Sequence, residues 1–201
     1  MKKTDYLTED GIFSEDERIV LRNLTSQDEE VYMTLLIENS AGPQMYEDEK
    51  FYSLSWNNAL KDKDLILIIV DKATHQSVGN IMLQKLDAEE QEIGVDILNA
   101  YKRQHYAYDA VKLLVKHASA VSGKETFKVR IYSDNLPSLR LFEKFNITKV
   151  GEQESEFTMF MRVMEEQLGK EKTEAIRKES VYGAAIESHE DRGISIYRLY
   201  A

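Results

Sequence analysis

The stretch from Glu92 to Ala118, EIGVDILNAYKRQHYAYDAVKLLVKHA, constrains this chain more than any other. Ile93, Val95 and Ile97 alternate with Glu92, Asp96 and Leu98, the two-residue period of a strand with one face in a core. Ala107, Ala110, Val111, Leu114, Val115 and Ala118 then recur at three- and four-residue steps, the stripe of an amphipathic helix. Between them lie Lys102, Arg103, Gln104 and His105. Such a turn gathers free backbone N–H groups at a helix N-terminus, and its cations add positive potential, so an anion such as a phosphate is favoured. An ordinary strand-to-helix connection with solvated basic residues gives the same pattern, and these residues alone leave both readings open.

Around this stretch the chain reads as alternating strands and helices. Residues 1–18 mix charge with isolated apolar side chains and suggest an N-terminal arm, with one domain over 19–201. Ile19 to Leu24 is a first strand. Ser26 and Glu29 match a capping box, opening a helix that carries Val31, Leu35 and Leu36 inward. A second helix is expected from Asp48 to Leu60, with Phe51, Leu54 and Trp56 as core or ligand contacts. Leu65 to Val70, LILIIV, reads as a strand buried on both faces. With Val78 to Leu86 and Glu92 to Leu98 it predicts an antiparallel meander. Phe127, Val129 and Ile131 mark a fifth strand, and the intervening helix makes the fourth and fifth strands a parallel pair in a right-handed crossover. Asp134 or Asn135 can cap the next helix, with Pro137 in its first turn and Asn146 as a left-handed cap at its end. Thr148 to Glu152 returns to the sheet. A helical insertion is expected at about 153–193, carrying Phe157, Phe160, Met161, Met164 and Leu168, before Ile194 to Tyr200 closes as a strand. The fold class is therefore α/β, with a mixed, mostly antiparallel sheet and helices on both faces.

The composition narrows the functions. There are no cysteines, hence no disulfide framework and no thiolate nucleophile or metal site, and the four histidines, His75, His105, His117 and His189, form no paired metal motif. No metal is expected. With 36 acidic and 26 basic residues the net charge is -10, which repels phosphate backbones and argues against nucleic acid as a partner. No apolar run approaches a membrane-spanning length, and MKKTDYLTEDGIF lacks the apolar region of a signal peptide, so a cytoplasmic protein without a membrane partner is expected.

Two segments, in this order and on these elements, resemble the GCN5-related N-acetyltransferase (GNAT) superfamily, in particular its ribosomal-protein and polyamine acetyltransferase branches. Tyr101-Lys102-Arg103-Gln104-His105-Tyr106-Ala107, followed by Asp109-Ala110, is similar to the family's acetyl-CoA pyrophosphate loop, commonly Arg/Gln-x-x-Gly-x-Gly/Ala. Asn135-Leu136-Pro137-Ser138-Leu139-Arg140-Leu141-Phe142-Glu143-Lys144 is similar to its Asn-x-x-Ser-x-x-x-Tyr-Glu-Lys helix. The resemblance spans about 19–152 and rejoins at 194–200. Four positions depart from it: Lys102 for Arg or Gln, His105 for a glycine, Phe142 for a tyrosine that protonates the departing thiolate, and Asn146 for a glycine, a mild change because asparagine tolerates the left-handed conformation. A side chain at 105 either crowds the pyrophosphate or supplies a hydrogen bond to it.

The resemblance implies acetyl-CoA as co-substrate and direct attack of a primary amine on its thioester, the acceptor being a polyamine, another small amine or a protein N-terminus. It implies that backbone N–H groups near Ile97 and Leu98 hold the acetyl carbonyl and pantetheine arm. Those of Arg103, Gln104, His105, Tyr106, Ala107 and Tyr108 would hold the pyrophosphate, with Lys102 beside them. Asn135, Ser138 and Phe142 would lie along the cofactor. Glu92 and Asp96 are the candidate bases and Tyr132 the candidate acid, although strand carboxylates commonly face solvent and strand tyrosines commonly pack. Glu47, Asp48 and Glu49 on one side and Glu152, Glu154 and Glu156 on the other would attract a cationic acceptor if they converge, or are simply solvated. The Phe/Met stripe of the insertion could serve a homodimer. The departures at His105 and Phe142 also suit a catalytically silent module that binds CoA or a small amine as a sensor or partner protein.

Overall fold

Leu65–Asp71 forms strand β3, buried along almost its whole length. An all-apolar strand is stable only where both faces are covered, and the surrounding architecture supplies that cover. The protein is described by a computed structural model covering residues 1–40, 42–154, 156–173 and 193–201. Among these residues eight strands make one sheet: β1 (Ile12–Glu15), β2 (Ile19–Asn23), β3, β4 (Ser77–Gln84), β5 (Gln91–Ile97), β6 (Thr126–Tyr132), β7 (Ile147–Glu154) and β8 (Gly193–Tyr200). Their spatial order is β1-β2-β3-β4-β5-β6-β8-β7. Every neighbouring pair is antiparallel except β5 and β6. The parallel pair expected at the fourth and fifth strands is thus found one number later, because an additional strand precedes them.

The described residues form five α-helices: α1 (Glu29–Asn39), α2 (Glu49–Lys61), α3 (Tyr106–Ser122), α4 (Leu136–Phe142) and α5 (Glu156–Leu168). On one face Ala110, Val111, Leu114 and Ala118 of α3 and Phe142 of α4 join Ile93, Ile97, Phe127, Val129 and Ile131 in the main core. On the other, Tyr32, Met33, Trp56 and Ala59 of α1 and α2 pack on Ile66 and Ile68. Trp56 is therefore a core residue, whereas Leu54, expected inward, is 57% exposed because it lies off the buried stripe of α2. The entry to α1 is capped by Thr25 and Asp28, one residue earlier than the expected Ser26–Glu29 box. Asp28 takes both guanidinium nitrogens of Arg22, at 2.8 and 2.6 Å. Asn146 is absent from the residues with positive φ, since α4 ends at Phe142 and the chain leaves it without a left-handed cap. The Asn146 carbonyl instead accepts from the Tyr200 N–H.

One expectation for the chain ends differs from the structure. Residues 1–18 are not a loose arm: β1 pairs with β2, and Tyr6 and Phe13 are each only 1% exposed in the main core. Charged neighbours hide these two apolar side chains from a window-based reading. Within the insertion, Glu156–Leu168 is helical as expected, while residues 174–192 lie outside the described residues.

Truncating Phe13 to alanine should cost about 3–5 kcal/mol by urea denaturation, as for a fully buried aromatic. An unchanged midpoint would return residues 1–18 to the status of an arm.

Candidate active site

Strands β5 and β6 are paired only at Gln91 with Phe127 and Glu92 with Lys128. Beyond Glu92 they part, and the sheet opens into a wedge whose walls are the rest of β5 and β6. The Leu98 N–H donates to the Val78 carbonyl, so Leu98 and Asp96 turn their main-chain groups toward β4. Hydrogen-bonding direction alternates along a strand, which turns the amides of Val95 and Ile97 toward the gap. Of the two amides expected to hold an acyl carbonyl and its arm, that of Ile97 faces the gap with that of Val95, while that of Leu98 is taken up by Val78. Gly79 sets how closely β4 approaches here, because a Cβ on it would lie 2.4 Å from the Asp96 carbonyl oxygen.

At the open end of β5 a short turn leads into α3. Among the described residues, the amides of Arg103, Gln104, His105, Tyr106, Ala107 and Tyr108 have no backbone acceptor. Six consecutive free donors at the N-terminus of a 17-residue helix form a cradle for an oxyanion. The turn is built from two left-handed residues, Arg103 (φ 62°) and His105 (φ 67°). This explains why a glycine suits position 105: the backbone requires positive φ, which histidine tolerates better than most residues but with strain. Gln104 is exposed, and its side chain donates to the Ala100 carbonyl at 3.0 Å.

Lys102 takes another direction. Its Nζ donates to Asn99 Oδ1 at 2.6 Å and to Asn39 Oδ1 at 3.3 Å, which ties the turn to the C-terminus of α1. The Asn99 N–H adds a 2.7 Å bond to Glu38 of the same helix. The charge of Lys102 also lowers the proton affinity of the Asp96 carboxyl against the effect of burial.

The two candidate bases separate cleanly. Glu92, buried at the closed end of the wedge, receives Lys85 at 2.8 Å and Arg130 at 2.5 Å. Burial pushes its carboxyl up, but these two cations outweigh burial and hold it below its ordinary value. A carboxylate so committed is a poor base, and the expectation for Glu92 is corrected accordingly. Asp96 is half-buried further along β5, on the α1/α2 face, and makes no hydrogen bond or ion pair among the described residues. Burial pushes its carboxyl up, and Lys102 only partly offsets this. The phenol of Tyr32, buried against Trp56 in the same layer, is pushed up to about 12 chiefly by burial, so it stays neutral beside Asp96. Tyr132 stands across the gap at the end of β6, 39% exposed.

The Asn135 helix adjoins α3 on the opposite face. Asn135 caps α4, its Oδ1 accepting from the Ser138 N–H at 3.1 Å, so its side-chain amide nitrogen is the group left for a ligand or water. Phe142 is 2% exposed in the core, so it anchors α4 to the sheet and is too buried to line the cofactor path as expected. Beside it Phe145 stacks on Tyr108 at 4.9 Å. Of the six acids expected to ring the cleft, three have other partners: Asp48 caps α2, Glu152 pairs with Lys149, and Glu154 with Arg162. The described residues contain no cluster of His, Cys, Asp or Glu able to hold a metal, and no described helix is long and apolar enough to cross a membrane.

Comparison with known proteins identifies the architecture. The family model of the acetyltransferase (GNAT) domain matches residues 18–148. This chain belongs to the GNAT acetyltransferase family. An uncharacterized protein of Methanocaldococcus jannaschii is 27% identical over 152 residues, 69% of this chain, and the match spans 30% of that protein's length. A GCN5-related N-acetyltransferase from Brucella melitensis shares the fold with a TM-score of 0.65 at 18% identity, over 96% of this chain and 80% of its own. The microcin C7 self-immunity acetyltransferase MccE, solved with acetyl-CoA and AMP, gives a TM-score of 0.63 at 17% identity, over 98% of this chain and 99% of its own. The matched residues include both segments that resembled the family. Arg18, which donates to Asp109 and to the Gln104 carbonyl, and the Val95 amide both lie at this junction and were passed over in the sequence reading. The period-2 parity of β5 held the signal for Val95, while nothing local marked Arg18.

If position 105 is held at positive φ, His105→Val should destabilise the protein by about 1–2 kcal/mol and His105→Gly should be tolerated, both read by urea denaturation. Equal midpoints for His105→Val and wild type would exclude a left-handed residue there.

Proposed function

We propose that this GNAT-family chain transfers an acetyl group from acetyl-CoA to a primary amine. The observation that supports this most is the junction of the β5–β6 wedge with six unpaired amides at the start of α3. A phosphate-bearing cofactor with a slender thioester arm matches both: pyrophosphate in the cradle, arm in the gap, and carbonyl oxygen facing the Val95 and Ile97 amides, which would stabilise the developing oxyanion. The acceptor then approaches from the α1/α2 face, where Asp96 lies. A carboxylate with a raised proton affinity and no partner is suited to take a proton from the attacking ammonium, directly or through water. As the C–N bond forms and the C–S bond breaks, the thiolate needs a proton, which Tyr132 or water supplies because Phe142 has none to give. A polyamine, another small amine or a peptide N-terminus all meet this chemistry, and the net charge of -10 favours a cationic acceptor.

Calorimetry with acetyl-CoA is the direct test, and absence of binding at millimolar ligand would sink the proposal. A thiol-release assay across amines then separates an enzyme from a silent CoA-binding module, which releases no CoA with any acceptor. Asp96→Asn should lower kcat about 10²–10⁴-fold while acetyl-CoA affinity stays near wild type.

The same variant has a stability signature. The folded-state carboxyl of Asp96 lies above its ordinary value of 3.8, so its contribution is present below that pH and is lost as pH rises through the folded value. At neutral pH the buried charge costs stability, so Asp96→Asn should raise the melting temperature at pH 7, with a smaller gain near pH 4. A fall in melting temperature at pH 7 would show that Asp96 is held by partners instead.

A further inference from the structure

Arg18, in the turn between β1 and β2, reaches the cradle from outside it. Its Nη1 donates to Asp109 Oδ2 and its Nη2 to the Gln104 carbonyl oxygen, both at 2.6 Å. Its guanidinium carbon stands 4.1 Å from the centre of the Tyr106 ring. Tyr106 in turn donates its hydroxyl to Asp71 Oδ2 at 2.9 Å, and Asp71 Oδ1 accepts from the amide and hydroxyl of Thr74. The backbone of Arg18 is fixed as well: Asp16 Oδ1 accepts from its N–H at 2.8 Å, and its carbonyl accepts from the Lys72 N–H at 2.9 Å. The guanidinium thus grips the Gln104–Asp109 segment, while the Arg18 main chain is fixed by Asp16 in its own turn and by Lys72 just after β3.

Two of these contacts act on the anion cradle. In a trans peptide the C=O and the following N–H point in opposite directions. Holding the Gln104 carbonyl toward Arg18 turns the His105 N–H away from it, to the side where a ligand must lie. The second contact concerns charge. Asp109 is in the first turn of α3, where its carboxylate would repel an arriving phosphate, and Arg18 neutralises it. A planar fork can serve a carboxylate and a carbonyl while stacking on a ring, which an ammonium cannot do.

We propose that Arg18 is a positioning residue for the cofactor: it aims the His105 amide and cancels the Asp109 charge, so that the turn can hold the acetyl-CoA pyrophosphate. This rests on the acetyl-CoA reading above, and a donor that lacks the pyrophosphate tests it separately. In the full chain, KM and kcat would be measured with acetyl-CoA and with acetyl-pantetheine for wild type, Arg18→Met, Arg18→Lys, and Arg18→Met combined with Asp109→Asn. Arg18→Met should raise KM for acetyl-CoA about tenfold or more, leave kcat at saturation within about twofold, and leave KM for acetyl-pantetheine unchanged. Adding Asp109→Asn should recover about threefold of the loss, because the uncompensated carboxylate is gone. Arg18→Lys keeps the charge and stem, so it serves if the methionine variant does not fold, and it should still raise KM for acetyl-CoA several-fold. Equal weakening with both donors would assign Arg18 a purely structural role and overturn the proposal, as would unchanged acetyl-CoA kinetics in the variants. Wild-type protein that binds no acetyl-CoA would instead fail at the earlier reading.

Discussion

The parting of β5 and β6 after two residue pairs is the constraint on which the rest of this structure depends. A sheet interior normally satisfies every main-chain donor and acceptor, so a deliberate gap leaves polar groups that a ligand must answer. The gap is kept from closing by what lies at its two ends. At the narrow end Glu92, Lys85 and Arg130 fasten the strands together, and Arg198 with Glu90 continues the charged cluster onto β8. At the wide end the turn into α3 carries the chain away from the sheet. The wedge is thus a consequence of topology, since a parallel neighbour must be reached by a crossover helix that starts where β5 ends.

The two faces of the sheet divide the chemistry between them. The α3 and α4 face is apolar up to the turn, then ends in a row of backbone donors, a surface suited to a phosphate-bearing cofactor. The α1 and α2 face holds Asp96 and neutral Tyr32, tied to the turn through Lys102, Asn99 and Asn39. Reactants approaching from opposite faces would meet only through the gap. The position of this carboxyl on the strand itself, with its proton affinity raised by burial, follows from the alternation that turns Ile97 one way and Asp96 the other.

Much of this could be read from the residues, and the exceptions have identifiable causes. The meander, the crossover and the cap of α4 follow from periodicity and from Asn135 and Pro137, which act locally. That the amides of Arg103 to Tyr108 stand free follows from a helix start and was legible, whereas a basic turn before an amphipathic helix left an anion site and a solvated connection equally open. Arg18 was not, since it acts across 91 residues on Asp109 and sits among charges that look solvated. Tyr6 and Phe13 escaped notice for the same reason. Glu92 and Asp96 share a strand face and a chemical type, and only their neighbours on β4 and β6 tell them apart. Lys102 looked like a phosphate ligand by composition, yet the short turn carries its stem toward α1.

The order of strands at the far edge bears on how the protein is made. Among the described residues β7 pairs only with β8, which lies between it and β6. A nascent chain therefore emerges from the ribosome with β7 complete but with no place in the sheet, while β6 presents the exposed edge that β8 will later fill. Until residues 193–200 have been synthesised, two unpaired strand edges stand open to wrong partners, so translation speed through the preceding segment sets how long that exposure lasts.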